Sequence, residues 1–553
     1  MAIVVCLAAL ASGSVQQLKL SRADPCVRLL TRQGEVGCAT SAAGVVAPLH
    51  PLLSLDQMSA LPSSGPVALA LPSSKFDLRT MHAVHSSLGS RLLAVLVLSG
   101  DEMPLASPQP EVEQLSPAER MYSLPSHVWN RNGSALSRSR FPFGIALLDD
   151  NETASLQAIL HQDNTSSIRP LLQMHYPMAA HGDSQSCLAA GTCLPIGGQS
   201  LWGSLLPRSV KARVPRPDQP VALLTSTLDG AAFFHQHVPA ADAAMSGAVA
   251  LLAAVDAIVS SPRLRRFNKQ VVSAKCYSRF SPEKFGKASA RAASSVTFTV
   301  YTFPLLRGSF NCSSVEESSA TLTPELEETA PQNSTLSLPA LHSCTSPFKR
   351  DLRFQSISKE FEAVIEIGAV GANDAKGQLY VHQPLSAASS LDQPTSVAEA
   401  LRQASQALPM PTIRAADPQL GLPAGPALSV LSELVEQLAP PPKSTASLTD
   451  FDSHLLGGAR VASRFDDLLT INSTLVCQAA TVSARAWWRV AGGSPSIDMP
   501  EANCTFVQEL LACILSEPKC EIARQLVSDA SSLLRVAAQD EEVNQIGLLT
   551  CTL

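Results

Sequence analysis

A chain of 553 residues with 45% hydrophobic and only 16% charged residues can bury a sizeable core, and its length suits two domains or one large two-lobed unit. Its formal net charge of −6 is mild and of the wrong sign for a nucleic-acid binder, so no nucleic-acid partner is expected. The one basic cluster, Arg263-Leu264-Arg265-Arg266, reads as a solvated helix end.

The chain opens with Met1–Ser14, an apolar core (Ile3–Ala11) followed by small residues. This fits a short signal peptide over residues 1–14, cleaved near Ala11–Ser14, although no Lys or Arg precedes the apolar run. Asp24–Pro207 is expected to form a first unit of short strands, among them Val67–Leu71 and Leu92–Leu98, joined by turn-rich segments. From Arg208 to Leu553 strands and helices alternate: strand Val221–Leu224, helix Ala240–Val259, strands Val296–Phe303 and Phe361–Ile367, helix Ser396–Gln406. That alternation predicts an α/β layer structure with a largely parallel sheet. Within it, residues 311–344 are polar and low in complexity and read as an inserted surface loop. Leu428–Leu438 is a short helix stopped by Pro440-Pro441-Pro442, and Thr470–Ala491 resumes helix. No segment reaches about 18 uninterrupted apolar residues, the length that spans a bilayer as a helix. The nearest, Ala243–Val259, carries Asp256 and reads as a buried core helix.

Asparagine usage points to a compartment. Of 11 Asn, 7 sit in Asn-x-Ser/Thr sequons: Asn132, Asn151, Asn164, Asn311, Asn333, Asn472 and Asn503. Chance would supply roughly 2, so the excess implies a chain that meets the glycosylation machinery. The 13 Cys contain no C-x-x-C pair, against a zinc ribbon or a thioredoxin-type motif. Cys26 and Cys38 bracket a short loop, as do Cys187 and Cys193, while Cys312 and Cys344 flank the insertion. In an oxidising compartment such loops are natural disulfides, each worth about 2–4 kcal/mol. Buried free thiols are the alternative.

The candidate chemistry centres on Val221–Ala254. A hydrophobic strand, Val221–Leu224, runs to Thr227-Leu228-Asp229, and a turn from Pro239 to Gly247 opens an apolar helix. This resembles the metal-binding core of zinc aminopeptidases, in which a strand delivers His-x-Asp and a Pro-Gly-x-x-Asp-x-Gly-Ser-Gly turn supplies a bridging Asp. Here Thr227 stands at the His position and Ala243 at the bridging Asp, while Asp229 is retained. Zinc needs three or four N, O or S donors, which Thr and Ala do not provide. On the same resemblance Gly368 replaces the next ligand, with Glu366 read as a polar residue at a strand edge, and Phe451 replaces the last His. If Gly308-Ser309 ends the motif that carries the peptidase Glu, Thr302 occupies the general-base position and Leu306 a Tyr position; Thr takes up no proton near neutral pH. His235 and His237 share one face of an extended segment, where a new metal pair is the sharp reading and a polar loop over the vacated pocket the preferred one. No phosphate loop or nucleophile elbow is present.

Taken in order, these blocks resemble the nicastrin family, most closely its plant and algal forms. Cys26–Cys38 resembles its opening cysteine loop, and Trp129-Asn130 with Phe141–Thr153 its central small-lobe strand. Leu223–Ala254, Phe361–His382, Leu448–Gly492 and Asn503–Cys520 follow. The resemblance implies a small lobe over 24–207 and an aminopeptidase-like large lobe over 208–553, with a C-terminal transmembrane helix expected in the family and not found before Leu553. It implies that Trp129 lies in a lid packed into a large-lobe pocket. It further implies a non-catalytic glycoprotein ectodomain of γ-secretase, lumenal or extracellular, in membranes from the endoplasmic reticulum and Golgi to the cell surface or endosome. Presenilin, the two smaller multi-pass subunits and type I membrane protein substrates would be its partners, with no cofactor. An active zinc aminopeptidase and a soluble peptide-binding glycoprotein are the rival readings.

Overall fold

The computed structural model describes, with short gaps, residues 2–100, 127–175, 200–204, 221–277, 311–312, 344–345, 361–385, 396–431 and 442–524. Two large sheets organise them. The first has eight strands in the order Val15–Leu20, Ala2–Ala8, Leu171–His175, Val45–Pro51, Val67–Pro72, Leu92–Leu98, Gly144–Leu147, Asp24–Pro25. Its four strands from Val45–Pro51 to Gly144–Leu147 are mutually parallel and those on either side pair antiparallel. The central strands VALALP and LLAVLVL are almost unbroken apolar runs because both of their faces are covered. One face packs Leu69, Leu71, Val95 and Val97 against Met81 and Val84 of helix Leu78–Leu88. The other packs Ala68, Ala70, Leu96 and Leu98 with Leu156 and Leu160 of helix Asp150–Gln162. Each helix has an aspartate at its start: Asp77 accepts from Thr80 N at 2.9 Å, and Asp149 from Glu152 N at 2.7 Å.

The segment Ala2–Ala8, the apolar part of the expected leader, is here a strand between Val15–Leu20 and Leu171–His175. The chain changes sheets between His175 and Ser200, ahead of the 207/208 division read from sequence.

The second sheet has seven strands: Ser200–Ser204, Gln270–Tyr277, Val221–Leu228, Phe361–Ile367, Ser444–Thr449, Gln378–His382, Thr412–Ala415. Its four strands from Gln270–Tyr277 to Ser444–Thr449 are mutually parallel. Ala222, Leu224, Ala363, Ile365, Ile367, Ala446 and Leu448 point to one face, where helices Gly247–Val259, Val397–Ser405, Ser473–Val490 and Cys504–Leu515 bury Trp487 and a bed of alanines. Period-two alternation sends Thr225, Glu366, Thr445 and Ser447 to the opposite face, all of them buried. Residues Ala241–Val259 are long and apolar enough to cross a membrane by length and composition, yet they are mostly buried within this layer. The sequence therefore anticipates this core helix well, but its first turn, Ala241–Ser246, is π-helical, entered through Ala240 at φ 48°.

The sheets meet along an aromatic seam. Phe233 stacks on Phe76 at 5.6 Å and Phe141 at 5.7 Å, and Phe234 pairs with Cys26 as an isolated bridge. Arg464 reaches across to donate to Ser99 Oγ and the Gly100 carbonyl.

Candidate functional site

In a parallel sheet the loops at the carboxyl ends of the strands converge on one edge, where ligands usually bind. Strands Val221–Leu228, Phe361–Ile367 and Ser444–Thr449 end side by side, with Ser226 opposite Ile367 and Ile367 opposite Leu448. The loops are stitched together there: Gly368 N donates to Leu448 O at 2.9 Å and Asp450 N to Ala369 O at 2.7 Å. The π-helical turn docks against them at van der Waals distance. A Cβ on Gly247 would lie 2.2 Å from the Gly368 carbonyl, and one on Gly371 2.8 Å from Ser246 Cβ. At this edge Thr227 lies near the end of its strand, Ala243 in the π-helical turn, and Gly368 and Phe451 on the loops. Asp229, His235, His237 and residues 302–309 lie outside the described residues.

Three carboxyls that sequence reading passed over hold this edge together. Asp466 accepts from Asp242 N at 2.8 Å and from Ala243 N at 3.1 Å, capping the π turn from 224 residues away. Asp242 Oδ1 accepts from Gly371 N at 2.9 Å, and Asp450 Oδ2 from Ala372 N at 2.7 Å. The remaining oxygens of Asp242 and Asp450 face each other in a dry setting. Burial, reinforced by the charge of Asp450 and by a side-chain hydrogen bond between the two, raises Asp242 well above the carboxylate range. Burial pushes Asp450 up to about 6 against the amides that pull it down. Asp466 is likewise pushed to about 6 by burial and then by Asp242, opposed by its two amide donors and Arg460.

This arrangement does not fit zinc. Thr227, Ala243, Gly368 and Phe451 offer no strong metal donor, and carboxylate oxygens of Asp466, Asp242 and Asp450 already accept from backbone amides. Among the described residues no group of three or more His, Cys, Asp or Glu is placed to hold a metal. The available signal was adjacency: Asp242 precedes Ala243, and Asp450 precedes Phe451.

Phe451 has acquired a different role. Trp129 packs edge-on to it at 5.9 Å, to His382 at 5.4 Å and to His127 at 4.6 Å. The backbone secures the contact, with Leu455 N donating to Trp129 O at 2.8 Å, Asn130 Nδ2 to Gly458 O at 3.1 Å and His127 Nε2 to Ser453 O at 2.6 Å. His382, pushed down to about 4 by burial, is neutral; its Nε2 lies 3.0 Å from both Thr449 Oγ1 and the Phe451 carbonyl. The Phe451 side chain is thus a platform on which Trp129 packs.

Comparison with known proteins agrees with this geometry. The family model described as nicastrin small lobe matches residues 25–180. Nicastrin of Arabidopsis thaliana is 27% identical over 532 residues, covering 92% of this chain and 68% of its own length. That of Dictyostelium discoideum is 22% identical over 523 residues, covering 91% and 71%. The crystal structure of the γ-secretase component nicastrin shares the fold, with a TM-score of 0.63 at 18% identity over 90% of this chain and 78% of that one. The chain is thus similar to nicastrins along most of its length.

Within this nicastrin fold, Glu366 needs correction. It is no strand-edge residue: its strand is flanked on both sides and its side chain is 3% exposed. It accepts from Ala427 N at 2.8 Å, and burial pushes it up to about 7. Gly425 leaves it room, since a Cβ there would lie 2.1 Å from Oε1.

The sequons and cysteines divide similarly. Asn132 and Asn151 are exposed, and Asn472 and Asn503 are N-caps of helices Ser473–Val490 and Cys504–Leu515. Asn311 lies in a two-residue strand that places Cys312 opposite Cys344. Asn164, Asn333, Cys187 and Cys193 lie outside the described residues. Cys26 and Cys38 are bonded, as expected. Two further disulfides, Cys477–Cys504 and Cys513–Cys520, escaped the sequence reading, which paired only cysteines that bracket loops.

Proposed function

We propose that this chain is a non-catalytic glycoprotein component of γ-secretase, whose vacated peptidase lobe scaffolds presenilin and sterically screens type I membrane protein substrates. One observation supports the absence of catalysis: at the edge where the peptidase resemblance would put zinc, carboxylate oxygens of Asp466, Asp242 and Asp450 accept from backbone amides. Complex membership rests on the resemblance: the crystal structure that shares this fold is that of nicastrin, a γ-secretase component. The division into a signal peptide at 1–14, a small lobe at 24–207 and a large lobe at 208–553 belongs to the same proposal. So do the lid role of Trp129 and a lumenal ectodomain on secretory-pathway membranes.

The test is affinity purification of the endogenous protein from mild-detergent membrane extract, followed by mass spectrometry. Recovery of presenilin with two smaller multi-pass subunits is the expected result. Recovery from the soluble fraction without presenilin overturns the scaffold role and leaves a peptide-binding glycoprotein.

A further inference from the structure

The sequon Asn503-Cys504-Thr505 contains a cysteine whose sulfur is bonded to Cys477, itself buried at 1% exposure. Asn503 Oδ1 accepts from Thr505 N at 3.0 Å and Phe506 N at 3.3 Å, so the acceptor carboxamide is also the helix cap. The residues just before it are fastened to helix Ser473–Val490. Arg485 Nε donates to Pro500 O at 3.2 Å, and Ala502 N donates to Thr481 Oγ1 at 3.1 Å. A segment held by two hydrogen bonds, a cap and a covalent bond cannot be drawn as an extended strand into the site of a membrane-bound transferase. Asn503 is nonetheless exposed, so a sugar added earlier has room in solvent.

Asn472 supplies a comparison within the same molecule. It caps its own helix through Oδ1 with Thr474 N at 3.1 Å and Leu475 N at 3.2 Å, but its sequon holds Ser473 in place of cysteine. Tertiary folding closes that site, whereas the Cys477–Cys504 link spans only 27 residues and closes locally.

We propose that glycan transfer to Asn503 competes with closure of the Cys477–Cys504 disulfide, making Asn503 a partially occupied site while Asn472 is modified independently of that bond. This rests on the secretory-pathway reading above. In closure the two thiols lose two electrons and two protons to an oxidised protein-disulfide oxidoreductase, and the S–S bond forms. In transfer Asn503 Nδ2 attacks the anomeric carbon of a lipid-diphosphate-linked oligosaccharide. The C–O bond to phosphate breaks, the lipid diphosphate leaves, and Nδ2 gives up one proton. Oδ1 is untouched, so the cap survives and both forms fold alike.

The full chain, expressed in eukaryotic cells, is treated with peptide N-glycosidase in oxygen-18 water, and occupancy is read by mass spectrometry. Cys477→Ser and Cys504→Ser, the latter leaving Asn503 and Thr505 in place, are compared with the parent. Partial occupancy at Asn503 that rises in both variants toward that of Asn472, with Asn472 unchanged, is expected. Glycan transfer precedes folding, so a variant that folds poorly still reports. Full occupancy of Asn503 in the parent, or no rise in either variant while Asn472 is occupied, overturns the competition. Absence of glycan at both sites overturns the secretory reading and the competition with it.

Discussion

Replacing Glu366 with Gln separates the cost of a buried charge from everything else at the sheet. Glu366 is 3% exposed and keeps one amide donor, Ala427 N at 2.8 Å. Its carboxyl titrates near 7 when folded against 4.5 in the unfolded chain, so between these values the folded state holds a proton that the unfolded state releases. The stabilising contribution is complete below pH 4.5 and is lost as pH rises through 7. At about 1.4 kcal/mol per pH unit, the loss comes to about 3 kcal/mol. The Gln carboxamide still accepts from Ala427 but cannot ionise. Its NH2 lacks a fitted partner, which costs about 1 kcal/mol at every pH. The variant is therefore slightly less stable than the parent at pH 4.5 and more stable by about 2 kcal/mol at pH 8. Urea unfolding from pH 4.5 to 8, followed by the fluorescence of buried Trp487 and Trp488, reads the difference. Asp450 and Asp466, both near 6, also titrate in this interval, but they and Asp242 are common to both proteins. Curves that run parallel across the whole range would refute the reasoning.

Asp242→Asn replaces the shared proton with a permanent N–H aimed at Asp450. Because burial raises Asp242, the parent loses stability as pH rises, and this variant should retain more of it at pH 8 than at pH 5, by urea midpoints. Gly247→Ala drives a methyl to 2.2 Å from a backbone carbonyl that cannot yield, and should cost about 3 kcal/mol by thermal unfolding. Phe451→Ala removes a side chain that is 4% exposed and supports Trp129. It should cost about 3 kcal/mol and hasten proteolytic cleavage between residues 127 and 134. Chelation with EDTA should leave the melting temperature unchanged and elemental analysis should find no stoichiometric zinc, because amides and a proton occupy the carboxylates.

Much of the architecture was legible because periodicity and composition act over short windows. Strand Phe361–Ile367 matches the expected span residue for residue, helix Val397–Ser405 lies within one residue of its expected ends, and helix Ser473–Val490 starts three residues late and ends one early. That Thr227, Ala243, Gly368 and Phe451 offer no strong metal donor is read directly from the sequence, since donor chemistry belongs to a residue whatever surrounds it. Glu366 was misjudged because a single charge within FEAVIEI gives no sign of whether its strand will be flanked on both sides.

The sequence by itself determined the α/β class and the apolar core helix. Only tertiary structure decided what holds the carboxyl-end edge of the second sheet together. Asp242 and Asp466 are 224 residues apart, and neither carboxyl is remarkable until folding strips its water and sets amides and a second carboxyl against it. It decided equally that Cys477 pairs with Cys504, and that Phe451 faces Trp129. Burial, proton affinity and covalent pairing depend on which distant segments meet, and that is settled by packing of the whole chain.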